Sequence, residues 1–281
     1  MGAGASRHTG PRDPDMTSGR DAPRHYGTPP FRTVVVHGGP GAPGTMAPVA
    51  RELGATVGVL EPWQSARTVA GQVRELSDQV DAWASAPVTL VGHSWGAWLV
   101  LLVAGEHPEK VRRVVLVGSG PFQARYAAET RRHRRQRLTR TQWREFEEIE
   151  HRLADPSSRT SPSALRRLGE LAEIADSYEL VPHPPVEVET DPATFRAVWA
   201  EADEMRKSGA LVQALRRVRS PVVVLHGTSD PHPLTGVVEP LRRAGVEPRV
   251  VVLERCGHEP WWERYARASF FAELREELAR D

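Results

Sequence analysis

The chain has 281 residues, enough for one large domain, or a domain with an inserted lid, that buries most of its apolar surface. Its 37 Lys and Arg residues almost balance its 36 Asp and Glu residues, so the net charge gives no reason to expect nucleic acid or an anionic membrane as a partner. The single cysteine, Cys256, excludes an intramolecular disulfide and any multi-cysteine metal site. Because no apolar run approaches the roughly 20 residues of a membrane-spanning helix, and because residues 1–30 lack a signal-peptide core, we expect a cytoplasmic protein.

Residues 1–30 are rich in Gly, Pro, Arg, Asp and Ser, a composition that predicts a disordered leader. After it, short β-branched runs alternate with segments that carry apolar residues at helical spacing. This alternation is typical of βαβ units and a parallel, doubly wound sheet. The leader shows no alternating apolar pattern, so we expect about six strands. The predicted strands are 31–36, 56–60, 87–91, 111–117, 221–225 and 248–253, and the predicted helices are 46–53, 69–83, 95–104, 234–244 and 261–279.

The alternation stops between residues 121 and 218, where charged helical segments run without a convincing strand. We interpret 121–218 as a helical cap inserted into a core formed by residues 31–120 and 219–281. A basic run in this cap is interpreted as a solvated helix face, with an anion site as the alternative. The run consists of Arg131, Arg132, Arg134, Arg135, Arg137 and Arg140.

A serine in the pattern G-x-S-x-G stands between the predicted strand 87–91 and the predicted helix 95–104, in Gly92-His93-Ser94-Trp95-Gly96. Alone the pattern is weak evidence, because an ordinary tight turn produces it by chance. A position between a buried strand and a helix, however, is the setting that exposes a nucleophilic serine above a sheet. The helix N-terminus also favours the negative charge that develops there. We therefore predict that Ser94 is a nucleophile.

A serine hydroxyl needs a base, and the base needs an orienting carboxylate. Asp230 follows the strand 221–225, and His258 lies between the last strand and the last helix. The order Ser94, Asp230, His258 is the one expected with such a serine turn, and all three follow strand ends, where active sites of open parallel sheets lie. We prefer His258 as base because it alone occupies the last strand-to-helix connection. The competing histidines near the same face are His37, His93, His226 and His232.

Acyl transfer also needs two backbone N–H groups directed at the developing oxyanion. The amide of Trp95, directly after the nucleophile, is the first predicted donor. The second is expected from the loop His37-Gly38-Gly39-Pro40-Gly41, whose glycines permit close backbone approach. Within this loop Gly39 is the first choice and Gly38 the second.

These motifs resemble the α/β-hydrolase superfamily, and within it the proline iminopeptidase-like branch. The resemblance rests on HGGPG at 37–41, GHSWG at 92–96, Asp230 in HGTSD and CGHEPWWE at 256–263, and it extends over roughly residues 31–278 with the cap matched loosely. It implies the α/β-hydrolase fold, a doubly wound, mostly parallel sheet with an inserted helical lid.

The resemblance also implies a lid carboxylate that binds the free α-amino group of a peptide substrate. Glu204 stands at about that position, with an ordinary surface-helix role as the alternative. Trp199 and His37 are further substrate-binding candidates. Some relatives carry a second acid directly after the catalytic aspartate; here that position is Pro231, which weighs against amine recognition.

Together the residues predict a serine hydrolase without cofactor or metal that cleaves a small amide or ester through an acyl-enzyme. The resemblance favours an N-terminal prolyl peptide as substrate. A small ester, lactone or thioester is the alternative substrate, and transfer of the acyl group to another acceptor, or cyclisation, is an alternative fate. A ligand receptor that keeps the triad without turnover is the alternative from another functional class.

Overall fold

The computed structural model describes residues 22–155, 157–158, 160–184, 186 and 188–280. One sheet of seven strands runs through the molecule in the order β1-β3-β2-β4-β5-β6-β7. All neighbouring strands are parallel except β1, which is antiparallel to β3. The strands are β1 (Arg24–Tyr26), β2 (Phe31–Val36), β3 (Gly58–Glu61), β4 (Val88–His93), β5 (Val111–Val117), β6 (Val222–Gly227) and β7 (Arg249–Leu253).

The edge strand β1 corrects the sequence analysis, which expected about six strands and a disordered leader as far as residue 30. Tyr26 pairs with Val59 of β3, and its hydroxyl donates to Glu61 Oε2 at 2.9 Å. Arg24 lies 3.5 Å from the same carboxylate, which is buried. The strand supplies two partners for Oε2 of this buried acid, but it has only three residues, too few for an alternating pattern in the sequence. The rest of the predicted leader, residues 1–21, lies outside the described residues.

Helices cover both faces of the sheet because β2, β4, β5 and β6 are nearly all-apolar runs that must be buried on both sides. One apolar cluster joins one sheet face to α2, α3, α8 and α9, and a second joins the other face to α1 and α10. The helices are α1 (Ala47–Leu53), α2 (Val69–Trp83), α3 (Trp95–Glu106), α4 (Ala127–Arg137), α5 (Arg140–Ala154), α6 (Pro162–Asp176), α7 (Pro192–Ser208), α8 (Ala210–Leu215), α9 (Thr235–Arg243) and α10 (Arg267–Ala279).

Helices α4 to α8 lie between β5 and β6, in the segment interpreted as a cap. Helix α5 starts at a capping box formed by Thr139 and Gln142 and buries one apolar stripe. This stripe packs on α6 in a cluster separate from the two sheet clusters, so α5 and α6 share an apolar core of their own. The cluster is Leu138, Trp143, Phe146, Ile149, Leu153, Leu165, Leu171 and Ala175.

Among the described residues, no helix combines the length and apolarity needed to cross a membrane.

Candidate active site

Ser94 occupies a strained turn between β4 and α3, with φ 52° and ψ −112°. Small residues on either side make this turn possible. A Cβ added at Gly92 would lie 2.3 Å from the carbonyl oxygen of Gly96, and one at Gly96 would lie 2.5 Å from that of His37. Because the first N–H groups of a helix lack intrahelical acceptors, the amide of Trp95 is available directly beside the serine.

The glycine loop predicted to supply the second oxyanion donor lies against the serine turn. A Cβ added at Gly38 would lie 3.2 Å from Ser94 Cβ and 2.7 Å from His93 Nδ1, so no larger residue fits there. Gly39 adopts a left-handed conformation, with φ 54°. The structure thus brings Gly38 beside the predicted nucleophile, whereas a Cβ added at Gly39 would meet only Ala42, at 3.7 Å.

Asp230 and His258 form a buried hydrogen-bonded pair. Nδ1 of His258 donates to Oδ2 of Asp230 at 2.8 Å, and each residue is 8% exposed. Gly118, directly after β5, packs against this pair. It has φ 52°, and a Cβ added there would lie 2.9 Å from His258 Nδ1. The loops after β5, β6 and β7 therefore meet at one point. Ser94 is tied to the same edge, because its amide donates to the carbonyl of Val117 at 3.0 Å.

The electrostatics of the pair suit a charged acid and a strong base. Burial by itself would raise the pKa of Asp230, but the neighbouring imidazoles of His258, His232 and His226 hold it well below its usual range. Burial lowers the pKa of His258, yet the adjacent Asp230 carboxylate raises it, and the net shift is upward. The carboxylate therefore stays ionised and increases the basicity of the imidazole.

A second histidine shares the same carboxylate. Nδ1 of His232 donates to Oδ1 of Asp230 at 2.7 Å, and the backbone N–H of His232 donates to the same oxygen at 2.9 Å. The ring centroids of His232 and His258 are 4.6 Å apart. His226 lies behind this arrangement and donates from Nε2 to the carbonyl of His232 at 2.8 Å. His232, one of the competing bases in the sequence analysis, is thus the second partner of Asp230.

His93 is the remaining competitor near the pair. Its ring lies 4.6 Å from that of His258, and its Nε2 is 3.2 Å from the carbonyl oxygen of His258. Burial lowers the pKa of His93 well below its usual value. His93 is therefore neutral, and its ring packs against the backbone of the loop that carries His258.

A cavity of about 200 Å³ opens above Ser94, between the sheet edge and the inserted helices. Trp98 of α3 and Trp199 of α7 stack across it, with ring centroids 6.0 Å apart and an interplanar angle of 18°. The guanidinium of Arg206 lies 5.8 Å from both rings. The lining residues are Ser94, Trp95, Trp98, Gly120, Pro121, Ala127, Thr130, Arg131, Arg134, Phe146, Glu150, Trp199, Arg206 and His232.

Of the three predicted substrate-binding residues, only Trp199 lines this cavity. Glu204 is exposed on α7 and is absent from the cavity wall, which favours the alternative of an ordinary surface-helix position. At 100° per residue, Glu204 lies about 140° round the helix from Trp199, whereas Arg206 lies only about 20° away. His37 is also absent from the wall: it is fully buried, with Nδ1 3.0 Å from the carbonyl oxygen of Gly38.

Charged residues of the cavity wall were missed by the sequence analysis. Arg134, in the run interpreted as a solvated face, turns inward on α4, so that interpretation is wrong for this residue; Arg131 borders the cavity but stays exposed, as predicted. Arg134 binds both carboxylate oxygens of Asp176 at 2.8 and 2.6 Å, and Arg131 binds Glu150 at 2.5 Å. The two arginines are three residues apart, so they share one helix face, but only the packing of α4 shows which way that face points.

One group of described residues has the composition of a metal site: ligand atoms of Asp176, His232 and His258 lie within 4.8 Å of one another. Each of these side chains already has a partner. Arg134 takes both oxygens of Asp176, and each histidine donates a ring N–H to Asp230. A guanidinium at this place also opposes a second cation, so the group does not fit a metal centre.

A family model described as the alpha/beta hydrolase fold matches residues 34–265. The chain belongs to the α/β-hydrolase family. No curated protein matches the sequence of this α/β-hydrolase.

Solved structures share the fold of this α/β-hydrolase over more than nine-tenths of its length. The structure of VinJ is 18% identical, with a TM-score of 0.66 over 91% of this chain and 93% of that chain. A thermophilic esterase from Thermogutta terrifontis is 19% identical, with a TM-score of 0.59 over 92% and 94%. A monoacylglycerol lipase from Paleococcus ferrophilus is 17% identical, with a TM-score of 0.58 over 91% and 97%. At these identities the likeness concerns the fold.

Proposed function

We propose that this α/β-hydrolase is a serine hydrolase that forms an acyl-enzyme on Ser94. The observation that carries the proposal is the strained Ser94 turn in the wall of a cavity, at the same strand edge as the buried Asp230–His258 pair. A serine, a base and an orienting acid at one sheet edge form the constellation that nucleophilic acyl transfer requires.

In the first half of the reaction, Nε2 of His258 takes the hydroxyl proton of Ser94 as Oγ bonds to the substrate carbonyl carbon. The resulting oxyanion accepts hydrogen bonds from the amide of Trp95 and from that of Gly39 or Gly38. The imidazolium then gives its proton to the leaving alcohol or amine as the bond to it breaks. Asp230 remains ionised throughout and stabilises the imidazolium through Nδ1–H.

In the second half, water takes the place of the leaving group. His258 removes one proton from the water as its oxygen attacks the acyl carbon, and returns that proton to Ser94 as the ester bond breaks. The products are a carboxylic acid and free enzyme, so no cofactor takes part in this cycle.

The charge of the cavity wall supports a small ester or thioester over an N-terminal prolyl peptide as substrate. A free α-ammonium group needs an unpaired acid, but Glu204 is exposed and Glu150 is bound by Arg131. The three arginines of the wall, Arg131, Arg134 and Arg206, each pair with an acid, so these ion pairs leave no carboxylate free to bind a cation. We therefore favour an acyl group without a free amine, in keeping with the esterase and lipase among the similar structures.

The nucleophile is tested by intact-mass spectrometry after exposure to a fluorophosphonate probe. We expect one adduct on the wild type and none on Ser94→Ala. Ser119→Ala is a matched control, because Ser119 is a buried serine next to the cavity residue Gly120, to whose carbonyl it donates at 3.0 Å. An unlabelled wild type, or an adduct that persists in Ser94→Ala, would contradict the proposal and favour the receptor alternative.

The substrate class is tested by comparing turnover of 4-nitrophenyl acetate with that of prolyl-naphthylamide. We expect measurable ester cleavage and little or no cleavage of the prolyl amide, because no unpaired acid in the cavity wall is available for the amine. Faster cleavage of the prolyl amide would favour the aminopeptidase alternative, and Glu150→Gln would then be the first variant to examine for loss of amine binding.

A further inference from the structure

The reaction above uses only one oxygen of the Asp230 carboxylate. Oδ2 orients His258, whereas Oδ1 accepts from the backbone and the side chain of His232. The ring of His232 is 11% exposed and lies in the wall of the same cavity as Ser94. The imidazole of His232 thus lies in the same cavity as Ser94, but the proposed reaction assigns no role to it.

The bond to Asp230 determines which nitrogen of His232 carries the proton. An ionised carboxylate only accepts hydrogen bonds, so Nδ1 of His232 must be the donor. In a neutral imidazole the other nitrogen, Nε2, then holds a lone pair. Burial lowers the pKa of His232, which favours this neutral form at pH 7. His232 therefore offers a hydrogen-bond acceptor.

Anchoring of Asp230 does not account for this side chain. The backbone N–H of His232 already donates to Oδ1 at 2.9 Å, and the backbone N–H of Asp230 donates to the carbonyl of Gly227 at 3.1 Å. An apolar residue at position 232 would keep both of these bonds. The imidazole adds a second bond to an oxygen that already has a partner, and it brings a polar ring to the cavity.

Most of the remaining polar side chains of the cavity wall are hydrogen-bond donors, whereas His232 offers an acceptor. Arg131, Arg134 and Arg206 are donors only, the buried hydroxyl of Thr130 can donate or accept, and the one acid, Glu150, accepts from Arg131. The lone pair of His232 is thus an uncharged acceptor in a wall dominated by donors. A substrate group that complements it must carry an O–H or N–H close to the scissile carbonyl.

We propose that His232 is a specificity-determining residue whose Nε2 accepts a hydrogen bond from a hydroxyl or N–H group near the scissile carbonyl of the acyl part. The substrate class is then a hydroxyacyl or amidoacyl ester rather than a plain alkyl ester. This inference rests on the proposed serine hydrolase function.

The test compares three 4-nitrophenyl esters: the propionate, the 2-hydroxypropionate and the 3-hydroxypropionate. The measured quantity is kcat/KM for each hydroxy ester divided by kcat/KM for the propionate. We expect at least one of these ratios to fall about tenfold in His232→Phe, which keeps a ring but has no acceptor. Intrinsic differences in ester reactivity cancel, because the same ratio is compared between enzymes.

Three further variants sharpen the comparison. His232→Leu replaces His232→Phe where the latter does not fold. His232→Gln is expected to recover part of the ratio, because its amide oxygen accepts a hydrogen bond. His226→Asn is the matched control: His226 supports the backbone of His232 from behind but is absent from the cavity wall, so its variant should keep the wild-type ratio.

The two proposals fail in different ways. If the wild type is labelled on Ser94 but both ratios are unchanged in His232→Phe, or in His232→Leu where the former does not fold, His232 does not recognise substrate and the serine hydrolase function stands. If His226→Asn lowers the ratios as much as the His232 variants, the effect comes from the loop and the specificity role is overturned. If the wild type is not labelled on Ser94, the underlying function fails and the specificity role fails with it.

Discussion

The histidines around Asp230 determine how activity depends on pH. The Asp230 carboxylate overcomes the effect of burial and raises the pKa of His258 above its ordinary value of 6.5. A base acts in its neutral form, so activity is retained above this raised pKa and is lost as pH falls through it. We therefore expect the acid limb of kcat/KM to have its midpoint above pH 6.5.

This prediction is checked by measuring kcat/KM for an uncharged ester between pH 5 and pH 9. In Asp230→Asn we expect the midpoint to move to lower pH and the rate to fall by roughly 10³- to 10⁴-fold, because the imidazolium loses its counter-charge. A wild-type profile that is flat from pH 5 to pH 8 would show that His258 is not the base.

The neighbouring acid Glu259 affects stability at a similar pH. Burial, with a further contribution from the negative charge of Glu173, raises the pKa of Glu259 to about 7. The folded state therefore disfavours the ionised form, and the free energy of unfolding falls as pH rises from about 4.5 to about 7. We expect Glu259→Gln to raise the free energy of unfolding at pH 8 by up to about 3 kcal/mol.

Urea unfolding at pH 5 and at pH 8 measures this effect. The increase in the free energy of unfolding caused by Glu259→Gln should be much smaller at pH 5, where Glu259 is mostly protonated. Glu254→Gln, a change at an exposed glutamate on the same segment, serves as control. Equal increases in the free energy of unfolding at both pH values would mean that the charge of Glu259 does not cause the stabilisation.

At the level of single elements, two glycines of the inserted helices have space for a side chain but differ in backbone conformation. A Cβ added at Gly169, within α6, meets nothing within 4 Å, and the same holds at Gly209, between α7 and α8. Only Gly209 is left-handed, with φ 82°. We expect Gly169→Ala to stabilise the protein by about 0.5–1 kcal/mol and Gly209→Ala to destabilise it by about 1 kcal/mol.

Thermal unfolding of the two variants checks this pair of predictions. Because neither new methyl group meets a neighbour, opposite shifts of Tm would reflect the difference in backbone conformation at the two positions. Shifts of the same sign would indicate that the conformation of α6, or of the α7–α8 junction, differs from the one described.

The elements that could be predicted from sequence are those whose own residues carry a strong pattern. Helix α2 and strand β5 occur at the predicted bounds, because apolar periodicity and β-branched runs report local burial. The three residues of β1 carry no such pattern and depend on the partner Glu61. The cavity-lining faces of α4, α5 and α7 could not be predicted either, since the rotation of each helix follows from packing far along the chain.

The same distinction holds within the site. The positions of Ser94, Asp230 and His258 at strand ends follow from motif and chain order, and the structure brings Asp230 and His258 into contact. The role of His232 as a second partner of Asp230 has a weaker signal, a histidine two residues after the acid, and only the turn geometry shows that both share one carboxylate.

Across the whole molecule, the buried Glu263 links the segment after α6 to the loop that carries His258. Oε1 of Glu263 accepts from the backbone N–H groups of Gly257 and Tyr178, each at 2.7 Å, and Oε2 accepts from that of Glu179 at 2.8 Å. Gly257 precedes His258, whose backbone N–H donates to the carbonyl of Asp176 at 2.9 Å. The end of α6 and the loop of His258, the proposed base, are therefore held together through the Glu263 carboxylate.

We expect Glu263→Gln to lower both stability and activity. A glutamine offers one accepting oxygen, and its NH₂ group would face a backbone N–H that then lacks a partner in a buried site. The free energy of unfolding should fall by about 2–3 kcal/mol. The kcat for esters should fall as well, because the loop that carries His258 loses its tie to the cap.

The matched control is Glu179→Gln. Glu179 lies in the same segment, but its carboxylate is half-exposed and pairs at the surface with Arg264 at 2.6 Å. Such a pair contributes at most about 1 kcal/mol, so this variant should stay close to the wild type in both measurements. Urea unfolding and ester turnover should therefore separate the two variants. If Glu263→Gln unfolds more easily but keeps the wild-type kcat, the glutamate stabilises the cap without positioning His258, and the coupling between cap and base must run through the Asp176 carbonyl alone.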